Sequence, residues 1–275
     1  MDIYGICIVK NEADIIELSL TKASVWASKI FVLDNGSSDG TWEKINKLAS
    51  ANSKIVPWKQ TDEVFRDGMR ADVFNHFKYI AKEGDWWCIR LDADEFYPED
   101  PIAFLSKIKS YYQVVCAKRI QYQLTELDLA NLDFSKDIQL LLDGLKYFEK
   151  TAHSEIRFFK HRHRLKWDRN EVLPRHIGLV APQRIIQKHY QYRSPAQVQE
   201  RIMLRNELKK KHPDIFPHIF SSNWNDYIVK SSECVYDNLD FSNYINLPVA
   251  NDGDVNYFFH SFWIRRILHS IGILP

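Results

Sequence analysis

The chain has 275 residues, of which 45% are hydrophobic and 27% are charged. This composition is ordinary for a globular protein, and the length predicts one large domain, or one domain with a C-terminal extension. The 37 basic and 36 acidic side chains give a formal charge of +1. A balance this close to neutral excludes a general attraction to polyanions, so we expect no nucleic-acid partner.

The cysteines and the N-terminus indicate a cellular compartment. The four cysteines are scattered without metal-type pairing, and three of them lie in apolar runs, which is typical of reduced core residues in a cytoplasmic protein. The chain opens with Met1-Asp2 and has no basic flank before an apolar run, so we expect no signal peptide. It also lacks a run of about 18 apolar residues, so we expect no membrane span.

Apolar runs of strand type alternate with helical patterns in the first part of the chain. The runs cover residues 3–9, 30–33, 54–58, 86–91 and 114–120. Between them, apolar residues recur three and four positions apart, as at Ile16, Leu20 and Ala23, which predicts amphipathic helices. Strands that alternate with helices predict an α/β fold with an open, mostly parallel, Rossmann-like sheet flanked by helices.

The rest of the chain is less regular. Strands are predicted at residues 156–159 and 184–190, and Ser194-Pro195 predicts the start of a helix. From residue 212 onward the sequence predicts a helical or irregular C-terminal extension.

The aromatic tail at residues 258–268 allows two interpretations. Aromatic helical stripes are usually buried, so we predict a helix docked on the core. The alternative is an interfacial helix whose Arg265 and Arg266 meet anionic lipid, which would give the protein a peripheral membrane contact.

An acidic cluster closes the fourth apolar run, where Asp92, Asp94 and Glu95 follow Leu91. Close carboxylates repel and raise each other's pKa unless a cation or hydrogen-bond donors compensate, and Mg²⁺ or Mn²⁺ prefers oxygen ligands. A helix N-cap, of the kind that Asp100-Pro101 predicts, is the alternative. The spacing alone leaves both interpretations open.

The predicted topology brings a second polar cluster to the same place. Asp34 and Asn35 follow the second apolar run, as Asp92 and Asp94 follow the fourth. In open α/β sheets, ligands bind outside the carboxyl ends of the strands, near the point where the strand order reverses. We therefore expect the two clusters at one edge of the sheet, facing one crevice.

Three motifs resemble those of a known family. They are Val9-Lys10-Asn11-Glu12-Ala13, then Leu33-Asp34-Asn35-Gly36-Ser37-Ser38-Asp39-Gly40-Thr41, then Asp85-Trp86-Trp87 leading into Leu91-Asp92-Ala93-Asp94-Glu95-Phe96. Their order and spacing resemble the successive motifs of family 2 glycosyltransferases with the GT-A fold, over roughly the first two-fifths of the chain. The resemblance implies an inverting, hexosyltransferase-type enzyme that moves a sugar from a nucleoside diphosphate donor to an acceptor hydroxyl with the help of Mn²⁺ or Mg²⁺.

The resemblance also implies roles for individual residues. The nucleotide sugar would be held by Asn11, Glu12, Asp34, Asn35 and Asp92. The charge of Arg193 and Arg70, rather than the resemblance, makes them candidates for charge-assisted bonds to its phosphates. Many family members have Asp where this chain has Asn35. The metal would be held by Asp94 as the direct ligand, by its neighbour Asp92, and by the late His189.

The predicted general base comes from a motif that departs from the family pattern. Trp167-Asp168-Arg169-Asn170-Glu171 resembles a Trp followed by His-Glu, but Asn170 replaces the His. Glu171 is the first candidate for the base that deprotonates the acceptor, and Asp168 and Glu95 are the reserves.

We also predict how the chain is divided and where the protein works. Residues 1–120 would bind the nucleotide sugar, residues 121–211 the acceptor, and residues 212–275 would form the extension. The acceptor would be a glycan or a lipid-linked molecule in bacterial-type surface polysaccharide or glycoconjugate synthesis. The enzyme would be cytoplasmic, with an alternative peripheral location at the inner face of the cell membrane.

Two other functions remain open. A haloacid-dehalogenase-like phosphohydrolase also carries Asp-x-Asp after an apolar strand, and Asp252-Gly253-Asp254 would be its late acidic motif, although that fold places its nucleophile on the first strand. A catalytically inactive, transferase-like binding module is the second alternative. The sequence contains neither the glycine-rich dinucleotide motif nor the P-loop motif, so it does not support a dehydrogenase or a P-loop ATPase.

Overall fold

The computed structural model describes residues 1–211, 221–250 and 259–274, except for the side chains of residues 259–262. The strands are β1 (Ile3–Val9), β2 (Lys29–Asp34), β3 (Ile55–Gln60), β4 (Trp86–Cys88), β5 (Glu95–Phe96), β6 (Val114–Gln121), β7 (Tyr147–Phe148), β8 (His153–Lys160), β9 (Val180–His189) and β10 (Val235–Tyr236). The α-helices are α1 (Ile16–Trp26), α2 (Thr41–Ala51), α3 (Met69–Phe77), α4 (Pro101–Ser106), α5 (Glu126–Asn131), α6 (Ile138–Gly144), α7 (Pro195–Lys211), α8 (Phe241–Asn246) and α9 (Phe259–Ser270).

The chain forms two compact units, each described here by itself. The first unit comprises Met1–Arg119, His153–Gln187 and Val249–Pro275, and the second comprises Ile120–Ala152 and Lys188–Pro248. The predicted functional division at residues 120 and 211 stays a prediction.

One sheet carries the strand order β3-β2-β1-β4-β8-β6-β9-β5. Strands β3, β2, β1 and β4 pair in parallel, as four apolar strands linked by helices require. Strand β8 pairs antiparallel with β4 and with β6, an arrangement that the apolar pattern did not indicate. The predicted α/β fold, with its open, mostly parallel sheet flanked by helices and its helical C-terminal part, is confirmed.

Aromatic packing fixes α3 on the sheet. The ring centroid of Phe74 lies 5.2 Å from that of Trp87, 5.5 Å from that of Phe159 and 5.8 Å from that of Trp167. All four rings are buried. The cluster joins α3 to β4 and β8 and holds the segment that begins at Trp167 against the same helix.

The predicted helix starts are confirmed by their caps. The carboxylate of Asp100 accepts hydrogen bonds from the backbone N–H of Ile102 and of Ala103, at 3.0 and 3.3 Å. The hydroxyl of Ser194 accepts one from the backbone N–H of Gln197 at 3.2 Å. These contacts satisfy N–H groups that the first turn of a helix leaves without an intrahelical partner.

Two expectations are corrected. The fourth strand was expected to reach Leu91, but β4 ends at Cys88. Beyond the strand, the Leu91 N–H still donates a hydrogen bond to the carbonyl oxygen of Ile6, at 3.0 Å. The tail was expected to be buried, but Trp263, Ile264 and Ile267 of α9 are exposed, so the core interpretation is wrong for these three side chains. No helix in the described ranges combines the length and apolar character needed to cross a bilayer.

The second unit is organised around a buried carboxylate. Asp237 accepts hydrogen bonds from the hydroxyls of Tyr122 and Tyr244, at 2.5 and 2.6 Å, and pairs with the Lys188 ammonium at 3.1 Å. Burial by itself would raise the pKa of Asp237, but the bonds from Tyr122 and Tyr244 outweigh it and lower this pKa below its usual value. The folded state therefore favours the charged carboxylate.

We expect Asp237→Asn to destabilise the protein by about 3 kcal/mol, because it leaves Lys188, whose side chain is only 15% exposed, without its counterion. A depressed folded pKa contributes stability above the ordinary carboxyl pKa and loses it as the pH falls through the folded pKa, so the variant should also lose stability less steeply in acid. Urea unfolding from pH 7 to pH 3 measures both effects. The control is Asp240→Asn at the exposed N-cap of α8, where Asn caps as well as Asp. Equal unfolding free energies for the two variants would contradict this account.

Candidate active site

The loops after β1 and β2 are bonded to each other. The backbone N–H of Asn11 donates to the Ser37 hydroxyl, and the Asn11 side-chain carbonyl accepts from the Ser38 N–H, both at 2.9 Å. Asn11 has φ of +53°, a left-handed conformation that Asn tolerates better than most residues. The Glu12 N–H bonds to the Thr41 hydroxyl at 2.9 Å. The two loops therefore form one preorganised surface.

Asp34 and Asn35 support this surface from below. One carboxylate oxygen of Asp34 accepts from the Ser37 N–H at 2.8 Å and from the Gln60 side-chain amide at 3.1 Å, while the other oxygen is buried without a hydrogen-bond partner. The side-chain NH₂ of Asn35 donates to the carbonyl oxygens of Thr61 and Glu63, at 3.2 and 2.6 Å. Asn35 thus fixes the loop after β3.

Asp92 lies one strand away and is held by an arginine. The Arg70 guanidinium, at the start of α3, is 3.4 Å from Asp92 Oδ1 and 2.7 Å from Asp67 Oδ1. The side chain of Asp92 is 33% exposed, whereas Asp94 is buried. Exposure therefore favours Asp92 over Asp94 as the carboxylate that a ligand can reach, the reverse of the predicted order.

The two polar clusters lie at the same edge of the sheet, as predicted. Val9 pairs with Asp34 where β1 and β2 end. Leu91, the residue before Asp92, donates its N–H to the carbonyl oxygen of Ile6 in β1. Burial raises the pKa of the Cys7 thiol, and the carboxylates of Asp92 and Glu12 raise it further. Both carboxylates are thus close enough to β1 to act on one thiol.

Glu95 is fully engaged in a buried ion pair. Its carboxylate oxygens accept from Arg157 Nη2 at 2.5 Å and from the Gln187 side-chain amide at 2.9 Å. Burial by itself would lower the pKa of Arg157, but Glu95, Asp92 and Glu155 together raise it, so the guanidinium stays charged. This arrangement favours a positioning role for Glu95 over the base role predicted for it.

The segment that carries the other base candidates is docked on α3. The Asn75 side-chain amide donates to the carbonyl oxygen of Trp167 at 2.7 Å, and the Trp167 indole donates to that of Glu171 at 2.9 Å. A Cβ added at Gly68 would lie 1.6 Å from the carbonyl oxygen of Arg169, so the contact requires glycine.

The two base candidates differ in their surroundings. One carboxylate oxygen of Glu171 pairs with Arg175 Nε at 2.5 Å, and the other is buried without a hydrogen-bond partner. Asp168 is exposed, and its Oδ1 accepts from the Asn170 N–H at 2.8 Å. An unsatisfied carboxylate oxygen is the feature that a proton acceptor needs, and it favours Glu171.

His189 and Arg193 belong to the second unit. His189 Nδ1 lies 2.7 Å from the side-chain carbonyl oxygen of Gln121, which can only accept, so Nδ1 carries the proton. Arg193 is buried, and its Nη1 donates to the carbonyl oxygen of Tyr190 at 3.1 Å. Their predicted contacts with metal and phosphate stay predictions.

Several residues of this region were missed by the sequence analysis. They are Glu63, Asp67, Arg90, Glu155, Arg157, Arg169 and Gln187. Their partners are up to more than a hundred positions away, so no local pattern in the sequence marks them. The spacing of Asp67 and Arg70, three positions apart at a helix start, is the one signal that would have suggested a pair.

The sequence of this chain was compared with family models. The model of glycosyl transferase family 2 matches residues 6–170, which is more than half of the 275 residues. The chain belongs to glycosyl transferase family 2. The match takes in both loops, the acidic cluster and the segment up to Asn170, so the family assignment covers most of the predicted site of this family 2 protein.

Comparisons with individual proteins add less. No curated protein matches the family 2 chain, whereas 46 chains of solved structures do. One of them is the mannosyltransferase PcManGT from Pyrobaculum calidifontis in complex with GDP-Man and Mn²⁺, at 15% identity and a TM-score of 0.41, covering 77% of this chain and 64% of that chain. The chain thus spans less than two thirds of that protein, and so distant a likeness carries no argument about activity.

The family implies a divalent cation, and the residues at the sheet edge fit one. Within the described part of the chain, no three His, Cys, Asp or Glu side chains are grouped as a metal site. Mg²⁺ in phosphate-transfer sites, however, is usually bound by one or two carboxylates, with water and substrate phosphates as the other ligands. The half-exposed Asp92, held by a long contact to Arg70, suits such a role.

We expect Arg157→Met to destabilise the protein by about 3–5 kcal/mol, because it leaves the Glu95 carboxylate buried without its charge partner. Arg66→Met is the matched control, because Arg66 is exposed and its 3.5 Å pair with Glu63 is a surface pair worth less than about 1 kcal/mol. Denaturant unfolding of both variants measures the difference. The double variant Glu95→Gln/Arg157→Met should recover part of the loss, and a double variant no more stable than Arg157→Met would argue against the pair.

Proposed function

We propose that this family 2 protein is an inverting glycosyltransferase that moves a hexose from a nucleoside diphosphate sugar to an acceptor hydroxyl. The observation that carries the proposal is the meeting of two polar surfaces at the carboxyl ends of β1, β2 and β4. One is the bonded pair of loops around Asn11 and Ser37, and the other is Asp92 with Arg70. This is the edge of an open α/β sheet at which nucleotide ligands bind.

The loops supply the donor side of the site. Asn11, Glu12, Asp34 and Asn35 are the residues to which we assign the nucleoside, and their mutual hydrogen bonds mean that little ordering is left to occur on binding. The buried oxygen of Asp34 without a hydrogen-bond partner is an unsatisfied acceptor directly beneath this surface.

The phosphate side of the site is built from Asp92 and Arg70. A bound Mn²⁺ or Mg²⁺ would neutralise the charge that develops on the leaving diphosphate. We assign Asp92 and Asp94 as its carboxylate ligands, with His189 as a third. We assign Arg70, at the same edge, to donate charge-assisted hydrogen bonds to the phosphates of the donor, and we assign Arg193 the same role. Asp67 keeps the Arg70 guanidinium in place through its 2.7 Å contact.

A carboxylate must accept the proton of the acceptor hydroxyl as the glycosidic bond to the leaving phosphate breaks. We assign this role to Glu171, with Asp168 as the alternative. The docking of this segment on α3 holds the base in a fixed position relative to Arg70, which lies on the same helix.

The acceptor and the location are proposed from the family resemblance and the composition. We propose a glycan or lipid-linked acceptor in bacterial-type surface polysaccharide or glycoconjugate synthesis. The four free cysteines, three of them buried, support a cytoplasmic location.

We expect a nucleoside diphosphate with Mn²⁺ to raise the melting temperature of the protein, since a ligand at a hundred times its Kd contributes about 2.7 kcal/mol. Asp92→Asn should lose the Mn²⁺-dependent part of this shift and the transfer activity while it keeps its fold. Asp133→Asn, at an exposed carboxylate that caps a turn with Ser135, should behave as the wild type. A full Mn²⁺-dependent shift in Asp92→Asn would remove Asp92 from the metal site.

For Glu171→Gln, we expect donor binding to survive and the transfer rate to fall about 10²–10⁴-fold, because only proton transfer is removed. Single-turnover release of nucleoside diphosphate measures the rate, and the anomeric configuration of the product tests inversion. Glu43→Gln on the exposed face of α2 is the control. If Asp168→Asn shows the loss and Glu171→Gln does not, the base is Asp168.

The same assays separate the alternatives. Release of phosphate from a simple phosphomonoester would favour the phosphohydrolase, whose late motif Asp252-Gly253-Asp254 lies outside the described residues. Nucleotide binding without turnover of any donor and acceptor would favour an inactive binding module. Family membership and the pairing of Asp92 with Arg70 favour the transferase over both.

A further inference from the structure

Helix α9 presents an apolar face to solvent. Trp263, Ile264 and Ile267 share one side of the helix, and Ile271 follows directly after its end; they are 42%, 57%, 53% and 60% exposed. A helix on the surface of a soluble protein normally turns its apolar side inward. The orientation of α9 is therefore the opposite of the usual one.

The side of α9 that carries Arg266 faces the body of the first unit. The Arg266 guanidinium stacks on the ring of Tyr111, 4.2 Å from its centroid, and on that of Trp263, at 4.9 Å. Arg164 donates a hydrogen bond to the carbonyl oxygen of Gly272 just beyond the helix. These polar contacts hold the helix in place with its apolar face outward.

The apolar face has a basic margin. Arg265 of α9 is exposed, and so is Arg164, which reaches the backbone of Gly272 just beyond the helix. The stretch from 160 to 167 contains no acidic residue, and neither does α9. Apolar side chains bordered by arginines, lysines and aromatic rings are typical of helices that lie in the headgroup region of a membrane.

We propose that α9 binds the protein to the surface of a bilayer that contains anionic lipid. The apolar side chains enter the boundary between headgroups and acyl chains, and the basic margin meets the lipid phosphates. A second copy of the chain fits this surface less well. A two-fold contact through the same face would bring the arginines of both copies together, and like charges at an interface oppose association.

The test is flotation of the full-length protein with vesicles of phosphatidylcholine alone or mixed with phosphatidylglycerol. We expect binding to the mixed vesicles, little to the neutral ones, and weakening by salt. Ile264→Glu/Ile271→Glu should abolish binding, and Arg265→Glu should reduce the affinity by at least about fivefold, the expected value of one basic residue near such a surface. The melting temperature should stay unchanged in both variants, since the substituted side chains are exposed.

Val25→Glu is the matched control, because Val25 is an apolar residue on α1 that is 80% exposed, and it should float like the wild type. Wild-type protein that stays with the unbound fraction, or Ile264→Glu/Ile271→Glu protein that still floats, would overturn the proposal. So would a lipid-independent dimer that the double substitution dissociates. The assay needs neither donor nor turnover, so its outcome is separate from that of the proposed transferase function.

Discussion

The ion pair between Arg70 and Asp92 is the interaction on which the candidate site depends. Asp92 follows the apolar run that contains β4. Its charge would repel the neighbouring carboxylates if no cation compensated it. Arginines provide that compensation within the folded chain. The alternating charges run through Asp92, Arg70, Asp67, Arg90, Glu155, Arg157 and Glu95. A metal or a diphosphate that binds at Asp92 would thus interact with a network in which carboxylates and guanidinium groups already neutralise each other.

A second set of contacts connects the donor loops to the base segment. Asn35 bonds to the backbone of Thr61 and Glu63, and the Glu63 carboxylate pairs with Arg169, which lies between Asp168 and Glu171. The hydrogen bond from Arg169 lowers the pKa of Glu63, so the pair stays ionic. Gly68 then lets α3 approach the backbone of Arg169. Asn35, which stands where many family members have Asp, therefore positions the loop after β3 and, through Glu63, the segment with Arg169.

The two units solve the problem of buried charge in the same manner. In the first, Glu95 is matched by Arg157 and Gln187, and in the second, Asp237 is matched by Lys188 and two tyrosine hydroxyls. Each carboxylate is costly to bury alone and is stable because donors surround it. Helix α9 differs from both, because its apolar side chains are exposed to water. This exposure is unfavourable unless another surface covers them.

The sequence by itself determined the α/β class, the approximate positions of the strands longer than two residues, the caps at Asp100 and Ser194, and the meeting of Asp34 and Asp92 at one edge. These follow from local periodicity, cap chemistry and the geometry of parallel sheets, which short stretches of sequence encode. Only the tertiary structure decided that Asp92 is partly exposed and Asp94 is buried, that Glu95 is bound by Arg157, and that α9 turns its apolar face outward. Each depends on partners far away in the sequence, and no local pattern specifies which of several arginines reaches a given carboxylate.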